Sequence, residues 1–536
     1  MSSLIAPFTP QAEPTLRLRD NPLLVAQARR RLRRKERLTT IAVVSILCVC
    51  ALMFTGALSL GAKAWGYTAD VMLLFLGVAV LLGGTSAVAG TMAEERATGI
   101  LDFHRATPTT PWTDALGYLV GCVAREYLIA AIIAPFMVAC ALMGGRSIAD
   151  VLTWLVCIGM TGLLYHAFGL LAGFAGDKRR RTATAMGFMV LALAALAHYA
   201  AGLGLSAVAY LSPVPVLISA NWFESGRLLG TYLPELFGVS IPPILYALLV
   251  QGVVFAFLFQ ASARKLRDEA LPAFSRPGAI GFFAIATVLF VGGAWSTLAG
   301  GGVVARVIGQ RLSVSAVATA YLICGTAVAA ALLASLAPTW LAFARAWRGA
   351  RKRDLSQPPW LEDGARPWLL VPVFSGILVS GLVLVWTGAR ATLGSGTLTG
   401  AGSLLAMVGI VAVLAFVCGA TQYLQFEFRR SYKTGVLLIG FLTCILPWIL
   451  GGIVGASGAR DLASYVTALS PLYAAGAAAV LLGTEWGGGT APTDAPSIIV
   501  SLLVTAAMTA FFVQRVEAAA AKLAVDWDAD ATRKGA

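Results

Sequence analysis

The chain has 536 residues, 58% of them hydrophobic and only 12% charged, with a net charge of +14. A soluble domain carries about 25% charged residues. The excess here lies in apolar runs of about 20 residues, each long enough to cross a hydrocarbon core of about 30 Å. A soluble globular protein is thereby excluded. So is a membrane β-barrel, whose strands would alternate apolar and polar residues. The basic residues sit in short segments between the apolar runs, which is an orientation signal rather than a nucleic-acid surface.

Residues 1–38 form a polar arm. Asn21-Pro22 is a good helix start, a capping side chain followed by proline in the first turn. Leu23, Leu24, Ala28 and Leu32 then share one face, with Arg and Lys on the rest. This predicts a basic amphipathic elbow helix on the membrane surface. The first apolar run begins near Thr39, so it is expected to stay as a membrane helix rather than be cleaved as a signal.

Twelve spans are predicted, at about 40–61, 71–92, 115–143, 151–175, 183–210, 242–260, 279–298, 315–343, 368–388, 400–424, 434–456 and 496–514. With this alternation, 33 basic residues fall on the side of both termini and 7 on the other. That asymmetry places both ends in the cytoplasm. The domain reading is an arm at 1–38, a six-helix half at 39–260, a cytoplasmic linker at 261–278, a second half at 279–515 and a cytoplasmic tail at 516–536.

Between the second and third spans lies the polar stretch EERATGILDFHRATPTTPWTDALGYLVG, Glu94 to Gly121. It opens with Glu94, Glu95 and Arg96. Helical spacing then puts Ile100, Leu101 and Phe103 on one side. Thr107-Pro108-Thr109-Thr110-Pro111 breaks the helix, since proline lacks an N–H and disfavours helix in the residue before it. Thr113 or Asp114 is positioned to cap the next helix. A short helix against the membrane, followed by a turn and a fresh start, forms a handle that an outside partner can push.

A weak internal repeat runs through the chain. The fourth span ends in Lys178–Arg181, and the tenth in Arg429, Arg430 and Lys433. Each basic turn leads into a span followed by Leu-Ser-Pro, at Leu211-Ser212-Pro213 and at Leu469-Ser470-Pro471. The expected architecture is two six-helix halves in tandem and in parallel. The counterpart of the handle is 344–367, a degenerate version with Arg348, Arg351, Arg353, Pro358, Pro359, Glu362 and Asp363 but no Glu-Glu-Arg start.

No phosphate-binding loop is present, and Gly483–Thr490 has no lysine. His104, His166 and His198 are too scattered for a metal centre; polar contacts to a neighbouring helix or a cavity account for them. No catalytic or metal site is expected. Ionisable groups are almost absent from the middle of the spans, which disfavours an ion path. Arg125 and Glu126 are expected near the inner interface, where arginine can snorkel. The eight cysteines lie in apolar runs or at their edges and read as buried hydrophobes.

Glu95-Arg96, Gly99-Ile100-Leu101-Asp102 and Ala106-Thr107-Pro108-Thr109-Thr110 together resemble the segment after the second span of ABC-2 type permeases. That family's pattern is an acid-Arg pair, Gly-Thr-Leu-acid and then Thr/Ser-Pro. Asn21-Pro22-Leu23-Leu24 and the basic arm are similar to the family as well. The likeness covers 21–260 well and 279–515 faintly. Ile100 stands where threonine is common.

The resemblance implies the membrane subunit of an ATP-binding-cassette exporter in a bacterial inner membrane, with one fused permease supplying both halves. It implies a separate cytoplasmic ATPase dimer that carries ATP and Mg, this chain binding no cofactor itself. It also implies coupling through 93–115, at Glu94, Glu95, Arg96, Gly99, Leu101, Asp102, Arg105, Thr107 and Pro108. The charges are expected to pair with the ATPase, Gly99 to permit close approach and Leu101 to seat the helix. Scarce buried acids suggest a lipophilic or amphipathic cargo. An ion-coupled secondary transporter is the alternative, followed by a multi-span membrane transferase.

Overall fold

The computed structural model describes residues 21–57, 61–106, 109–176, 178–202, 205–222, 234–299, 310–393, 401–427, 435, 438–457, 459–473, 476 and 495–535. It is helical, apart from a hairpin pairing Glu235–Leu236 with Val239–Ser240. Among the described residues, 12 helices are long and apolar enough to cross a membrane. All twelve overlap the expected spans. The chain is a multi-pass, all-α membrane protein. Its contacts divide into two compact units, up to Leu191 and from Ala192.

In the first unit, α1 (Pro22–Arg31) begins as its sequence predicts, with the Asn21 side chain accepting from the N–H groups of Leu23 and Leu24. The first span is α2 (Arg34–Ala57). The second comprises α3 (Ala62–Gly77), a π-helical turn (Val78–Gly84) and α4 (Thr85–Ala97). A π turn widens the i→i−4 ladder and is a recognised bend point. The third and fourth spans, α7 (Ala124–Met143) and α8 (Ile148–Ala175), pack along α3 and α4 respectively. Leu73, Val88, Met92, Trp154 and Leu164 fill this seam with no exposure. In lipid such seams are held by close packing rather than by the hydrophobic effect.

Among the boundaries that differ from expectation, two bear on the charged residues. The third span starts at Ala124, because α6 (Pro111–Gly121) is a separate helix. Arg125 and Glu126 therefore sit in the first turn of that span. The second span starts earlier, at Ala62, and so takes in Asp70, which is fully buried. Its carboxylate Oδ2 lies 3.2 Å from Arg146 Nη2, from the loop between α7 and α8. Asp70 is thus an ionisable group inside a span, near its start rather than at its middle. The expected span begins at about 71, whereas 62–70 fold as the first turns of α3.

In the second unit, the core lies between helices 276–293, 310–336, 371–393 and 401–427, around Phe283, Tyr321, Phe374, Leu378 and Leu382. Phe283 stacks on Phe374 at 5.3 Å, and the Tyr321 hydroxyl donates to the Leu378 carbonyl at 3.1 Å. A smaller cluster joins Phe343, Phe426 and Val516. The two Leu-Ser-Pro corners share a local turn. Ser212 Oγ accepts from Val214 N and Ser470 Oγ from Leu472 N, each at 3.3 Å.

Candidate functional site

The handle is built on two short helices, α5 (Ile100–Ala106) and α6. Thr110, not Thr113 or Asp114, caps α6, accepting from Thr113 N with Pro111 in the first turn. Proline at that position requires no N–H, so the cap falls one residue ahead of it. Asp114 instead accepts from the Thr109 hydroxyl at 3.1 Å. Burial pushes its carboxyl above the usual range, partly offset by that hydrogen bond and by nearby His104.

Gly99 joins α4 to α5 with φ +77, in the left-handed region that L side chains avoid. A Cβ there would meet nothing within 4 Å, so its glycine serves the turn and no close approach within the chain.

Glu95 is 2% exposed and faces inward. Its Oε1 accepts from Gln27 Nε2 at 2.6 Å and from Arg30 Nη1 at 3.4 Å. Its Oε2 accepts from the Tyr118 hydroxyl at 2.5 Å, with His104 Nε2 at 3.8 Å. Burial, reinforced by the adjacent carboxylate, pushes the Tyr118 phenol well above its ordinary pKa, so it stays a donor. One carboxylate thus ties together the elbow helix α1, the second span and α6. Asn21 Nδ2 adds a 2.6 Å bond to the Thr113 carbonyl.

Glycines let α1 lie directly on α6. A Cβ on Gly121 would stand 2.9 Å from Gln27 Cβ and 3.0 Å from the Leu24 carbonyl oxygen. Gly121→Val is accordingly expected to lift α1 from α6, read as new protease cleavage within 22–31.

The other sequence-expected residues divide. Glu94 bonds Arg179 at 2.9 Å and Arg30 at 3.5 Å, and Arg96 donates to the Gly176 carbonyl at 3.5 Å. Leu101 is buried at 2%, whereas its expected companions Ile100 and Phe103 are exposed. Asp102 is exposed and pairs with Arg105 at 2.8 Å. Thr107 and Pro108 lie outside the described residues. The acid-Arg start therefore braces the handle from within. Its outward crest is Thr98, Gly99, Ile100, Asp102, Phe103 and Ala106.

The segment 344–367, expected as the handle's counterpart, is built differently. Thr339 caps a helix over Trp340–Arg351, along which Arg348 and Arg351 are exposed. Arg353 pairs with Glu362 at 2.7 Å. The loop after it is held by Arg276, whose fully buried guanidinium donates to the carbonyls of Trp360 (2.5 Å), Ala365 and Arg366 (3.3 Å). Arg264–Asp363 and Arg366–Glu517, each at 2.7 Å, complete it.

Gln27, Tyr118 and Arg276 were not anticipated. Gln27 carried a readable signal, since it stands one turn after Leu23 on the apolar side of a basic helix. Arg276 carried none, as an arginine ahead of a span reads simply as an orientation charge. His166 is buried in α8, its Nε2 3.0 Å from the Val80 carbonyl in the π turn and its Nδ1 3.2 Å from the Tyr127 hydroxyl. It faces neighbouring helices, as expected. No group of three or more metal-ligating side chains occurs among the described residues. No protein-family model, no curated protein and no solved structure matches the chain.

Proposed function

We propose that the chain is the membrane-spanning permease of an ATP-driven exporter of lipophilic or amphipathic molecules, worked through α5 by a separate cytoplasmic ATPase dimer. The observation that carries this reading is the build of the handle. A seven-residue helix is clamped from within by Glu95 and Leu101, yet turns Phe103 (69% exposed) and Ile100 (41%) outward beside Asp102. Large apolar side chains on a rigid polar turn are the composition of a small docking patch, where aromatic anchors dominate the binding energy. A push there reaches the second span directly through α4, and the elbow helix through Glu95. The shared turn of the two Leu-Ser-Pro corners supports two parallel six-helix halves.

The docking residues in this reading are Gly99, Ile100, Asp102, Phe103 and Arg105. Glu94, Glu95 and Arg96 brace them rather than meet the partner. Phe103→Asp is expected to lower co-purification with the partner ATPase, and transport-coupled hydrolysis in proteoliposomes, by tenfold or more. The thermal midpoint of the permease alone should stay unchanged. Full coupling in that variant would overturn docking at α5.

A secondary transporter is the second reading, favoured by buried Asp70 and the π turn in the same span. The Arg146 partner already neutralises that acid, which leaves little affinity for a coupling ion. Transport in vesicles supplied with ATP but no ion gradient separates the two.

A further inference from the structure

Between the first three spans lies a groove of about 730 Å³ lined by Leu47, Ala51, Phe75, Ala79, Ile129 and Ile133 among others. Cys48, Met72 and Ile133 form a buried floor, while Leu47 and Phe75, both over 60% exposed, stand at its open rims. Its two threonines are satisfied within the protein. Thr55 bonds the Ala51 carbonyl, Thr68 the Ala64 carbonyl, and the two hydroxyls lie 2.8 Å apart. The lining therefore asks for hydrocarbon. Only the Tyr67 end, next to Lys63 and Trp65, carries the residue types of a membrane interface.

Dimensions narrow the occupant. From Tyr67 to Ala79 the groove runs about 18 Å along the helix, at 1.5 Å per residue. One leaflet of the hydrocarbon core is about 15 Å deep. A hydrocarbon lining one leaflet deep, with interfacial residues at one end only, fits an extended acyl chain.

We propose that this groove is a binding site for the hydrocarbon chain of a lipid, its head at the Tyr67 end and its chain end near Ala79. As an entry point for cargo it rests on the permease reading above. As a binding site it does not, so the test needs no ATPase.

The full chain in nanodiscs would be photolysed with a phosphatidylcholine carrying a diazirine at the end of one chain. Adducts are expected on the peptides bearing Leu47 and Ala79. Ala51→Trp with Ala79→Trp, which fills the groove, should lower their yield at least fivefold, whereas Phe188→Trp, on an exposed face outside the groove, should not. Should the filled variant fail to fold, a tenfold excess of unlabelled phosphatidylcholine must suppress the wild-type adducts. Adducts spread evenly over all lipid-facing helices, or unaffected by filling and by competition, would overturn the site.

Discussion

Glu95→Ala is expected to release the elbow helix and to destabilise the first unit by about 1–3 kcal/mol for each of the two buried donors it leaves without an acceptor. Gln27 Nε2 and the Tyr118 hydroxyl would lose their acceptor and Arg30 one of its two counter-charges. Hydrogen exchange should show the amides of 22–31 opening while those of α8 stay protected, with a lower thermal midpoint. Glu95→Gln keeps an acceptor for Tyr118 and should lose less. Glu95→Lys should be worse than alanine, since a second positive charge would face Arg30. In the proposed permease, loss of transport in these variants would trace to a handle without its brace, whereas loss in Phe103→Asp would trace to docking on an intact one. A Glu95→Ala protein with wild-type stability and unaltered exchange in 22–31 would refute the brace.

Arg276→Gln should be the costliest substitution in the second unit. The guanidinium is the common donor to three loop carbonyls, and glutamine can reach at most two of them. Each buried carbonyl left unpaired costs about 1–3 kcal/mol. The expected result is a loss of about 3 kcal/mol and proteolytic nicking between Leu355 and Arg366. Arg366, which stacks over Trp347 at 5.2 Å and pairs with Glu517, should lose its fixed position as well. Arg276→Lys keeps the charge but not the planar fork, so it should rescue only part of the loss. A nicking pattern like wild type would show that the loop holds itself.

The two handles illustrate what local pattern can convey. Asn21-Pro22, the break before Pro111 and the existence and approximate place of all twelve apolar spans depend on neighbours in sequence, and the structure reproduces them. Whether Glu95 points out to a partner or inward to Gln27 depends on a helix 68 residues away. Helical spacing grouped Ile100 with Leu101 and Phe103, yet α5 buries only Leu101, because which side of a short helix is covered depends on what packs against it and not on spacing. Asp70 was misplaced for a similar reason. Its burial depends on Arg146 folding back over the end of the span, and no period in the sequence encodes that return.

What the sequence determined by itself is the solvent and the path of this protein. Runs of apolar residues must lie in hydrocarbon as helices, since only a helix satisfies its own backbone there, and arginine-rich turns fix where the chain re-emerges. What only the tertiary structure decided is which charges are spent inside. A carboxylate or guanidinium can be buried only where donors or acceptors from distant segments converge on it. That convergence turned Glu95 and Arg276 into braces and left Ile100 and Phe103 as the face presented outward.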